Sequence, residues 1–531
     1  MSLQIEAPSP IALILVYLPL TLLTLLLARI IHLHYFHPLS HLPGPFYASI
    51  STLFRVHHMS HGTINLHEQA LHAKYGPIVR LGPNLVSSSS PAHIPLIHHK
   101  DVDKPAFLDM PGFGMEHGIV ALRDHREHRW KKRRLTNPYS LTTILTSEHL
   151  LDKNITTFIT ALDSRFRANS TPFDFARWIE FFVFDTVSEI AFGKPQGFIT
   201  SGTDKGGLVQ ATKDTVKAGF LVVALANKIH ALYKSLPQKL ADWIFVPNMD
   251  SDKGIGVMLK LARSLVAETK AKVQAGKNDG ERKHFVERLL ALKEPDGSPV
   301  PDAYIVSELC AVMIGGGDTT AASIRTFFDH LHDPANAHVL ARLLAEIDAA
   351  YDQQATPSPV LPYSELAKLP YLHSALRESQ RLFAPVGNLT PRLVSPPGLT
   401  LNGIFIPPGV EIGQNPWVLG RDESYYGADA SIFRPERWIE CSEEERRRLE
   451  RGEATWGFGP RGCIGRQLAL VEMWKVSAAL LRLLRFVPRE GPTGRNCRQF
   501  GFWIAEGFWY GVERRDVAEW AWFEEKQDGC C

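Results

Sequence analysis

The sequence predicts a mainly helical α+β protein with small β-sheets, preceded by one N-terminal transmembrane helix. Apolar residues recur at three- and four-residue spacing through most of the chain, which is the period of an amphipathic helix. Two shorter stretches carry β-like apolar runs broken by Gly and Pro, and a run near the N-terminus carries no charge. With 531 residues, of which 45% are hydrophobic, the chain can bury a large core.

Residues 11–31 are the predicted transmembrane anchor. The stretch IALILVYLPLTLLTLLLA, which begins at Ile11, carries no charge, and about 20 apolar residues suffice to cross a bilayer as a helix. A cleaved secretory signal would begin with basic residues, whereas Glu6 is the only charge ahead of this run. Arg29 and later basic residues follow the span, so the positive-inside tendency places residues 1–10 in the lumen and the bulk of the chain in the cytosol.

A proline-rich hinge is expected between the anchor and the body, at residues 32–45. It ends in HLPGP, and a Pro-Gly-Pro turn stops a helix. No Pro/Gly/Ser-rich linker, no run of like charges and no internal repeat divides the remainder. Residues 46–531 are therefore predicted to form one large domain.

Five segments of this domain show the helical period most clearly. They read LLDKNITTFITALDSRF, DAYIVSELCAVMI, NAHVLARLLAEIDAAY, YLHSALRESQRLF and QLALVEMWKVSAALLRLL. The β-like stretches are GPIVRLGPNLVSSS and PRLVSPPGLTLNGIFIPPGVEIG, in which Gly and Pro are placed as in hairpin turns.

Charge and cysteine content limit the class of protein. Lys and Arg number 58 against 56 Asp and Glu, a formal charge of +2, so we expect no nucleic-acid partner. The 6 cysteines are scattered without the spacing of a disulfide framework, which indicates a reducing compartment.

The stretch WGFGPRGCIGRQLALVEM places one cysteine, Cys463, in a glycine-rich turn that leads into an apolar helix. GFGPRG has the glycine spacing of a dinucleotide fingerprint, but the charged stretch EEERRRLERGEAT before it has no strand character. A zinc site would need a second Cys or His within a few residues, and no other lies between Cys441 and Cys497. The nucleotide and zinc interpretations are therefore disfavoured.

Two interpretations of Cys463 remain. A helix N-terminus favours a thiolate, so a cysteine nucleophile stays open, although no particular histidine is marked as its base. A thiolate that ligates iron needs backbone N–H donors and glycines that let a flat macrocycle approach, a need that Gly457, Gly459 and Gly465 could meet. Arg461, two residues before the cysteine, could pair with a carboxylate of such a cofactor. The haem interpretation accounts for more of these residues.

The turn resembles the haem-binding loop of the cytochrome P450 family, F-x-x-G-x-R-x-C-x-G. The pattern falls on Trp456, Gly459, Arg461, Cys463 and Gly465, with Trp in place of the usual Phe. The resemblance implies the P450 fold for the body of the chain. It also implies haem b as cofactor, Cys463 as the iron ligand and Arg461 as a partner of a haem carboxylate.

A second stretch, CAVMIGGGDTTAASIR, interrupts a helical pattern with Gly315, Gly316 and Gly317. Gly inside a helix costs about 1 kcal/mol relative to Ala, so these glycines need a reason. One interpretation is that the helix ends there and Asp318 caps a new one. The stretch is similar to the family's [A/G]-G-x-[D/E]-T-T, which implies glycines that leave room for dioxygen and substrate, and a local helix opening stabilised by the threonine hydroxyl. By the same resemblance, Asp318 and Thr319 are the catalytic pair that delivers protons.

Further elements match the family in order. Glu378, Arg381 and Arg437 resemble the E-x-x-R and PER triad that supports the haem pocket structurally. Trp130 and Arg134, in HREHRWKKRRLTNPYS, match the family's W-x-x-x-R, which implies that they hydrogen-bond one haem propionate.

Two more expectations concern charged residues. Arg392, in LTPRLV, resembles the strand arginine that meets the other propionate. The basic residues 131–133 are expected to point away from the haem and to offer a positive surface to an acidic flavoprotein.

The resemblance implies a haem monooxygenase of the eukaryotic microsomal, fungal-like type. It would insert one oxygen atom from O2 into a lipophilic small molecule, in secondary metabolism, with electrons from a separate NADPH-cytochrome P450 reductase. The protein would be single-pass in the endoplasmic reticulum membrane, in contact with membrane lipid, with its haem-binding catalytic domain in the cytosol. Two rivals stay open: a haem-thiolate isomerase or dehydratase that acts without O2, and a non-enzymatic haem or lipid carrier.

By the same resemblance, four segments are expected to contact the substrate: 107–119, 198–220, 386–390 and 500–508. The aromatic stretch FGFWIAEGF and the anchor favour a lipophilic molecule that enters from the bilayer. The shape of the pocket, rather than any motif, decides which molecule that is.

Overall fold

A computed structural model describes residues 10–105, 118–245, 248–276 and 284–528, and it has the mainly helical architecture with small sheets that the sequence predicts. The helices are α1 (Pro10–Ile31), α2 (Phe46–Ile50), α3 (Leu53–Ser60), α4 (Ile64–Tyr75), α5 (Ile94–Ile97), α6 (His125–Leu135), α7 (Leu141–Leu145), α8 (Glu148–Leu162), α9 (Phe175–Phe192), α10 (Phe198–Ser201), α11 (Leu208–Ser235), α12 (Gln238–Phe245), α13 (Ile255–Gln274), α14 (Phe285–Leu290), α15 (Asp302–Leu331), α16 (Ala337–Asp352), α17 (Tyr363–Leu366), α18 (Pro370–Leu382), α19 (Pro416–Leu419), α20 (Glu423–Tyr426), α21 (Glu443–Arg451), α22 (Arg466–Leu483) and α23 (Trp520–Asp528). The strands are β1 (Ile78–Gly82), β2 (Leu85–Ser88), β3 (Phe173–Asp174), β4 (Arg392–Leu393), β5 (Leu399–Leu401), β6 (Ile404–Ile406), β7 (Glu411–Gly413), β8 (Leu484–Pro488), β9 (Asn496–Gln499), β10 (Trp503–Glu506) and β11 (Trp509–Arg514).

The long helix α15 is the centre of the domain. It packs along α9 and also contacts α13, α18, α22 and α11, so most of its side chains are buried. All five predicted helical segments are helices, and they supply α8, α15, α16, α18 and α22. Their apolar faces meet in one continuous core, which accounts for the helical period of the sequence.

Four small sheets lie around these helices. The largest has the order β1-β2-β7-β4, in which β2 and β7 run parallel and the other pairs are antiparallel. The two predicted β-like stretches supply this sheet and the β5–β6 hairpin. Near the C-terminus, β8 and β11 pair with each other, and β11 also pairs with β3, while β9 and β10 form a hairpin. The sequence pattern did not predict these C-terminal strands.

The N-terminal helix α1 is long and apolar enough to cross a bilayer, and its large side chains from Leu15 to Leu27 are exposed. Helical backbone continues as a π-helical turn over His32–Phe36, and it becomes extended at His37. Helical backbone therefore extends five residues into the segment 32–45, which the sequence assigned to the hinge. Residues 1–9 of the expected lumenal segment lie outside the described residues.

Glu378 on α18 is the centre of a buried ionic network. It accepts two hydrogen bonds from Arg381, at 2.7 and 2.9 Å, and one from Arg437 at 3.3 Å. The Trp438 indole N–H donates to it at 2.9 Å, and all of these side chains are buried. The triad that the sequence suggested is thus assembled, and it joins α18 to the segment before α21.

We predict that Glu378→Gln destabilises the protein by about 3–5 kcal/mol, because it leaves the buried guanidinium group of Arg381 without a counter-charge and leaves Arg437 with Asp429 alone. Urea denaturation in detergent measures the change. The matched control is Glu443→Gln, which removes an exposed partner of Arg447 on α21 and should cost less than about 1 kcal/mol. Equal losses in the two variants would contradict the assignment of Glu378 as a structural centre.

Candidate functional site

Cys463 ends a tight turn between two helices. Its backbone N–H donates to the Trp456 carbonyl at 2.7 Å, which closes the loop that precedes α22. Gly457 and Gly459 have φ values of +68° and +57°, so the turn requires glycine at both positions. The sequence analysis explained these glycines by the close approach of a macrocycle. Their positive φ values show that they are also needed to form the turn itself.

The sulfur of Cys463 accepts hydrogen bonds from the backbone. Burial raises the pKa of the thiol, but the backbone N–H groups of Gly465 and Arg466 donate to the sulfur and Lys132 lies close to it, and these three interactions oppose the shift. The side chain is nevertheless accessible to solvent, so it borders open space although protein surrounds it on most sides. A metal bound there would remove the thiol proton, and the donors would stabilise the thiolate.

Beside the cysteine turn, four cations surround one buried histidine. His128 on α6 is only 5% exposed, and burial together with Arg461, Lys104, Lys132 and Arg392 lowers its pKa to about 3. Burial and the neighbouring Arg461 also lower the pKa of Arg392 to about 10. We call these five residues the cationic cluster.

Within the described part of the chain, the four cations bond to backbone carbonyls rather than to carboxylates. Lys132 donates to Pro460 and Gly462, at 2.7 and 2.6 Å. Arg461 donates to the carbonyls of Leu122 and Arg123. Arg392 donates to Pro391 at 2.9 Å and Lys104 to Val120 at 2.7 Å. The cluster therefore has unused capacity for an anion.

The nearest carboxylates are already engaged. Asp124 caps α6 by accepting from the N–H groups of Arg126 and Glu127, and Asp103 accepts from His125 at 2.8 Å. Ligand-type atoms of Asp103, Asp124 and His125 lie within 4.8 Å of one another. Their hydrogen bonds serve the start of α6, so this group is explained as a helix cap.

Two residues that the sequence assigned to a propionate lie elsewhere. Trp130 is 40% exposed, and the guanidinium group of Arg134 stacks on its ring at 4.4 Å. Arg134 also donates to Glu294, at 3.5 Å, and to the carbonyl of Lys293. The structure thus brings Arg392 and Arg461 to the cationic cluster but not Trp130 and Arg134.

His128 and Lys132 take the inward positions on α6 instead. They are four residues apart and share one helical face with Leu135, which is only 1% exposed. The family pattern has Trp at the first of these two inward positions. The only Trp of α6, Trp130, lies two residues after His128 and therefore on a different face of the helix. The signal that sequence reasoning missed is Leu135, the only aliphatic residue of the helix, because it marks the inward face.

The three glycines of α15 have different surroundings. A Cβ on Gly317 would lie 2.5 Å from the Phe184 ring on α9, and one on Gly316 would lie 3.2 Å from Val187. A Cβ on Gly315 would meet no atom within 4 Å. Gly316 and Gly317 therefore lie against α9, whereas a side chain at Gly315 would enter open space. Helix α15 continues through this stretch, so Asp318 does not cap a new helix.

Asp318 and Thr319 project in different directions. The Thr319 hydroxyl donates to the Gly315 carbonyl at 2.6 Å and is partly accessible. Asp318 is buried, and neither of its carboxylate oxygens has a hydrogen-bond partner among the described residues. Burial and the neighbouring Glu180 raise its pKa to about 7. The carboxyl group can therefore hold or release a proton near neutral pH.

Three of the segments expected to contact substrate meet in one place. The rings of Phe220 on α11 and Phe502 lie 5.6 Å apart, and Phe502 pairs with Val386 through an isolated β-bridge. Phe198, at the start of the same expected segment that ends at Phe220, is instead buried in the core against α9 residues. Residues 106–117, which include most of the first expected segment, lie outside the described residues.

A cavity of about 580 Å³ opens beside the cysteine turn, and neither Cys463 nor Thr319 lines it. It lies between the turn, the end of α5 and the end of α21. Its walls include His98, Lys100, Arg451, Trp456, Pro460 and Arg466.

A haem fits the residues that are present. Cys463 offers an accessible sulfur with backbone donors, and the cationic cluster offers unpaired positive charge beside it. Haem carries two propionates, which are suitable partners for cations that are partly or fully removed from water.

Comparison with known proteins agrees with this fit. A family model described as cytochrome P450 matches residues 43–505. The chain is 31% identical over 444 residues to quiannulatic acid synthase of Emericella variicolor, an alignment that covers 82% of this chain and 84% of that protein. It is also 31% identical over 460 residues to a cytochrome P450 monooxygenase of Penicillium aethiopicum, with 85% and 88% covered. The crystal structure of the cytochrome P450DA heme domain matches with a TM-score of 0.69 at 18% identity, covering 87% of this chain and 96% of that one, and this likeness concerns the fold alone.

We predict that Lys132→Ala weakens haem retention about tenfold or more, because a hydrogen bond to a charged group contributes about 1.5–3 kcal/mol. Transfer of haem from the purified protein to apomyoglobin measures the loss rate. Arg134→Ala, two residues along the same helix, is the matched control and should change the rate less than about threefold, since its partners are Glu294 and Trp130. The reverse order of effects would restore the assignment that the sequence pattern suggested.

Proposed function

The chain belongs to the cytochrome P450 family, and from this premise we propose that it oxidises a lipophilic small molecule by inserting one oxygen atom from O2, with electrons from NADPH supplied through a separate reductase. As a family member it is a haem-dependent monooxygenase. The observation that carries the proposal is the accessible sulfur of Cys463 beside a cationic cluster with no carboxylate partner among the described residues.

We propose that the residues of the site bind different parts of haem b. Cys463 holds the iron, and the N–H groups of Gly465 and Arg466 stabilise its negative charge. Arg392, Arg461, Lys132 and His128 hold the two propionates. When bound, haem supplies the activation of O2, and the protein supplies orientation and protons.

Asp318 and Thr319 are proposed to control the protons that the reaction consumes. Asp318 holds a proton near neutral pH because its carboxyl group is buried. The Thr319 hydroxyl faces the open side of α15 and is held by the Gly315 carbonyl, so it can pass a hydrogen bond onward. Proton donors of this kind contribute about 10²–10⁴-fold to a rate.

The proposed substrate is lipophilic because the segments that meet near α11 present aromatic and aliphatic groups. Phe220, Phe502 and Val386 form an apolar wall. We place the reaction in secondary metabolism, since one similar protein is by its name the synthase of a specific acid, quiannulatic acid.

The proposed reductase contact is the surface around α6 and the cysteine turn. Arg126, Trp130 and Arg133 are exposed on α6, whereas Lys131 and Lys132 turn inward to Tyr304 and to the turn. The cavity beside the turn adds Lys100 and Arg451. An acidic flavoprotein would be attracted to such a surface.

Membrane attachment is proposed through α1 and the exposed apolar residues after it. Phe46, Tyr47, Leu53 and Leu66 are between 42% and 61% exposed, all within the first helices that follow the hinge. Large apolar groups clustered at a surface mark contact with a protein or a membrane. We infer a single-pass protein of the endoplasmic reticulum with its catalytic domain in the cytosol.

We predict that Cys463→Ser abolishes the red-shifted carbon monoxide spectrum of ferrous thiolate-bound haem, because an alcohol does not replace a thiolate ligand. Cys310→Ser and Cys497→Ser are controls and should keep the spectrum, since neither residue lies in the turn. An unchanged spectrum in the Cys463 variant would overturn the proposed function.

We predict that Thr319→Ala lowers the product formed per NADPH about tenfold and diverts reducing equivalents to peroxide, because a proton relay is lost. The control is Thr326→Ala, which removes the same type of hydroxyl-to-carbonyl bond two turns along α15, where the side chain is buried. The assay measures NADPH, peroxide and product together, with a compound found by metabolite profiling of the purified protein with reductase. Product formation by the wild type without NADPH and O2 would favour the isomerase instead.

A further inference from the structure

A group of buried charges lies on the side of α15 that faces away from the open space. Glu180 on α9 is 3% exposed, Asp318 on α15 is 4% exposed and Arg325 on α15 is 1% exposed. Lys213 on α11 is more accessible, with 18% of its side chain exposed. Two acids and two bases from three helices therefore meet in a part of the molecule where an unpaired charge is costly.

The pairing within this group is unequal. Lys213 donates to Glu180 at 2.7 Å, and this ion pair raises the pKa of Lys213 although burial lowers it. Asp318 has no hydrogen-bond partner on either oxygen, and Arg325 has none on Nε or Nη2, among the described residues. One acid thus has a cation bound to it, and the other acid has none.

Helix geometry explains why Arg325 does not bond to Asp318. The two residues are seven apart, about 10 Å along the axis, and lie on the same face of α15. The Phe508 ring lies 5.4 Å from the guanidinium group of Arg325. The remaining cation within reach of Asp318 is Lys213, and Glu180 holds it.

We propose that Glu180 is a positioning residue: by holding Lys213, it leaves Asp318 as a proton donor with no cation bound to it. The charged groups that act on Asp318 are Glu180 from α9, Lys213 from α11 and Arg325 from its own helix, and no other is found among the described residues. Without Glu180, Lys213 would turn to Asp318 and stabilise its ionised form. This inference rests on the proposed function only for the use that the reaction makes of the proton.

The test follows the protonation of Asp318 directly, without turnover. Infrared difference spectra of the full-length holoprotein are titrated with pH, and the carboxylic acid band that Asp318→Asn removes is assigned to Asp318. In Glu180→Gln the midpoint should fall by about 1 pH unit or more, because a nearby negative charge is lost and a cation is released. In Lys213→Met the midpoint should rise, because the cation that favours the ionised form is removed.

The opposite signs distinguish positioning from a merely structural role. General loosening of the core would move both midpoints toward the value of a solvated carboxyl group, and that result would overturn the proposal. Glu180→Asp keeps the charge and should restore most of the wild-type midpoint. The carbon monoxide spectrum of Glu180→Gln reports whether that variant folds and holds haem. If it does not, Glu180→Asp is titrated in its place.

Coupling of NADPH to product, measured in the same variants, separates this inference from the proposed function. If the midpoints shift as expected and the coupling of NADPH to product changes with them, the positioning role of Glu180 and the proton-donor role of Asp318 are both supported. If the midpoints shift and coupling does not, Glu180 positions Lys213 but Asp318 does not supply the proton. If the midpoints do not move, the positioning role is wrong whatever the coupling.

Discussion

Mutual repulsion among the buried and half-buried cations beside Cys463 is the constraint on which the arrangement of the site depends. Lys104, Lys132, Arg392 and Arg461 come from separate segments and converge on His128, whose pKa they lower together with burial. Backbone carbonyls satisfy their N–H groups but cannot cancel their charge. An anionic group would relieve this repulsion, and it would fasten α6, β4 and the cysteine turn to one another when it binds.

Helix α15 separates two environments. One side, at Gly315 and Thr319, borders open space, and the other side carries Asp318 against α9 and α11. Because the helix has no break at GGGDTT, the division is fixed by side-chain direction alone. In the proposed relay, a proton held by Asp318 would have to travel around the helix to reach the side of Thr319, and the charges on α9 and α11 would govern whether it is available.

The sequence predicted those features that depend on local pattern. Helical period identified α8, α15, α16, α18 and α22, and the turn around Cys463 was found from glycine spacing and the lone cysteine. The inward face of α6 was misjudged because a pattern match to Trp took precedence over the position of Leu135. The electrostatic influence of Glu180 and Lys213 on Asp318 could not be predicted, since it joins residues more than 100 positions apart through packing that no local pattern records. The C-terminal strands were missed for the same reason, because their pairing is set by tertiary contacts.

The contrast between the glycines of α15 has a consequence for redesign of the enzyme. A methyl group at Gly315 would meet no neighbour within 4 Å, so the volume available on the open side of the helix can be reduced there without moving the backbone. The same methyl at Gly317 would lie 2.5 Å from the ring of Phe184, so either this ring or α15 would have to move. If substrate binds on the open side of α15, as proposed, the first glycine of the run is the position at which its room can be reduced, whereas a change at the third would disturb the packing of α15 against α9.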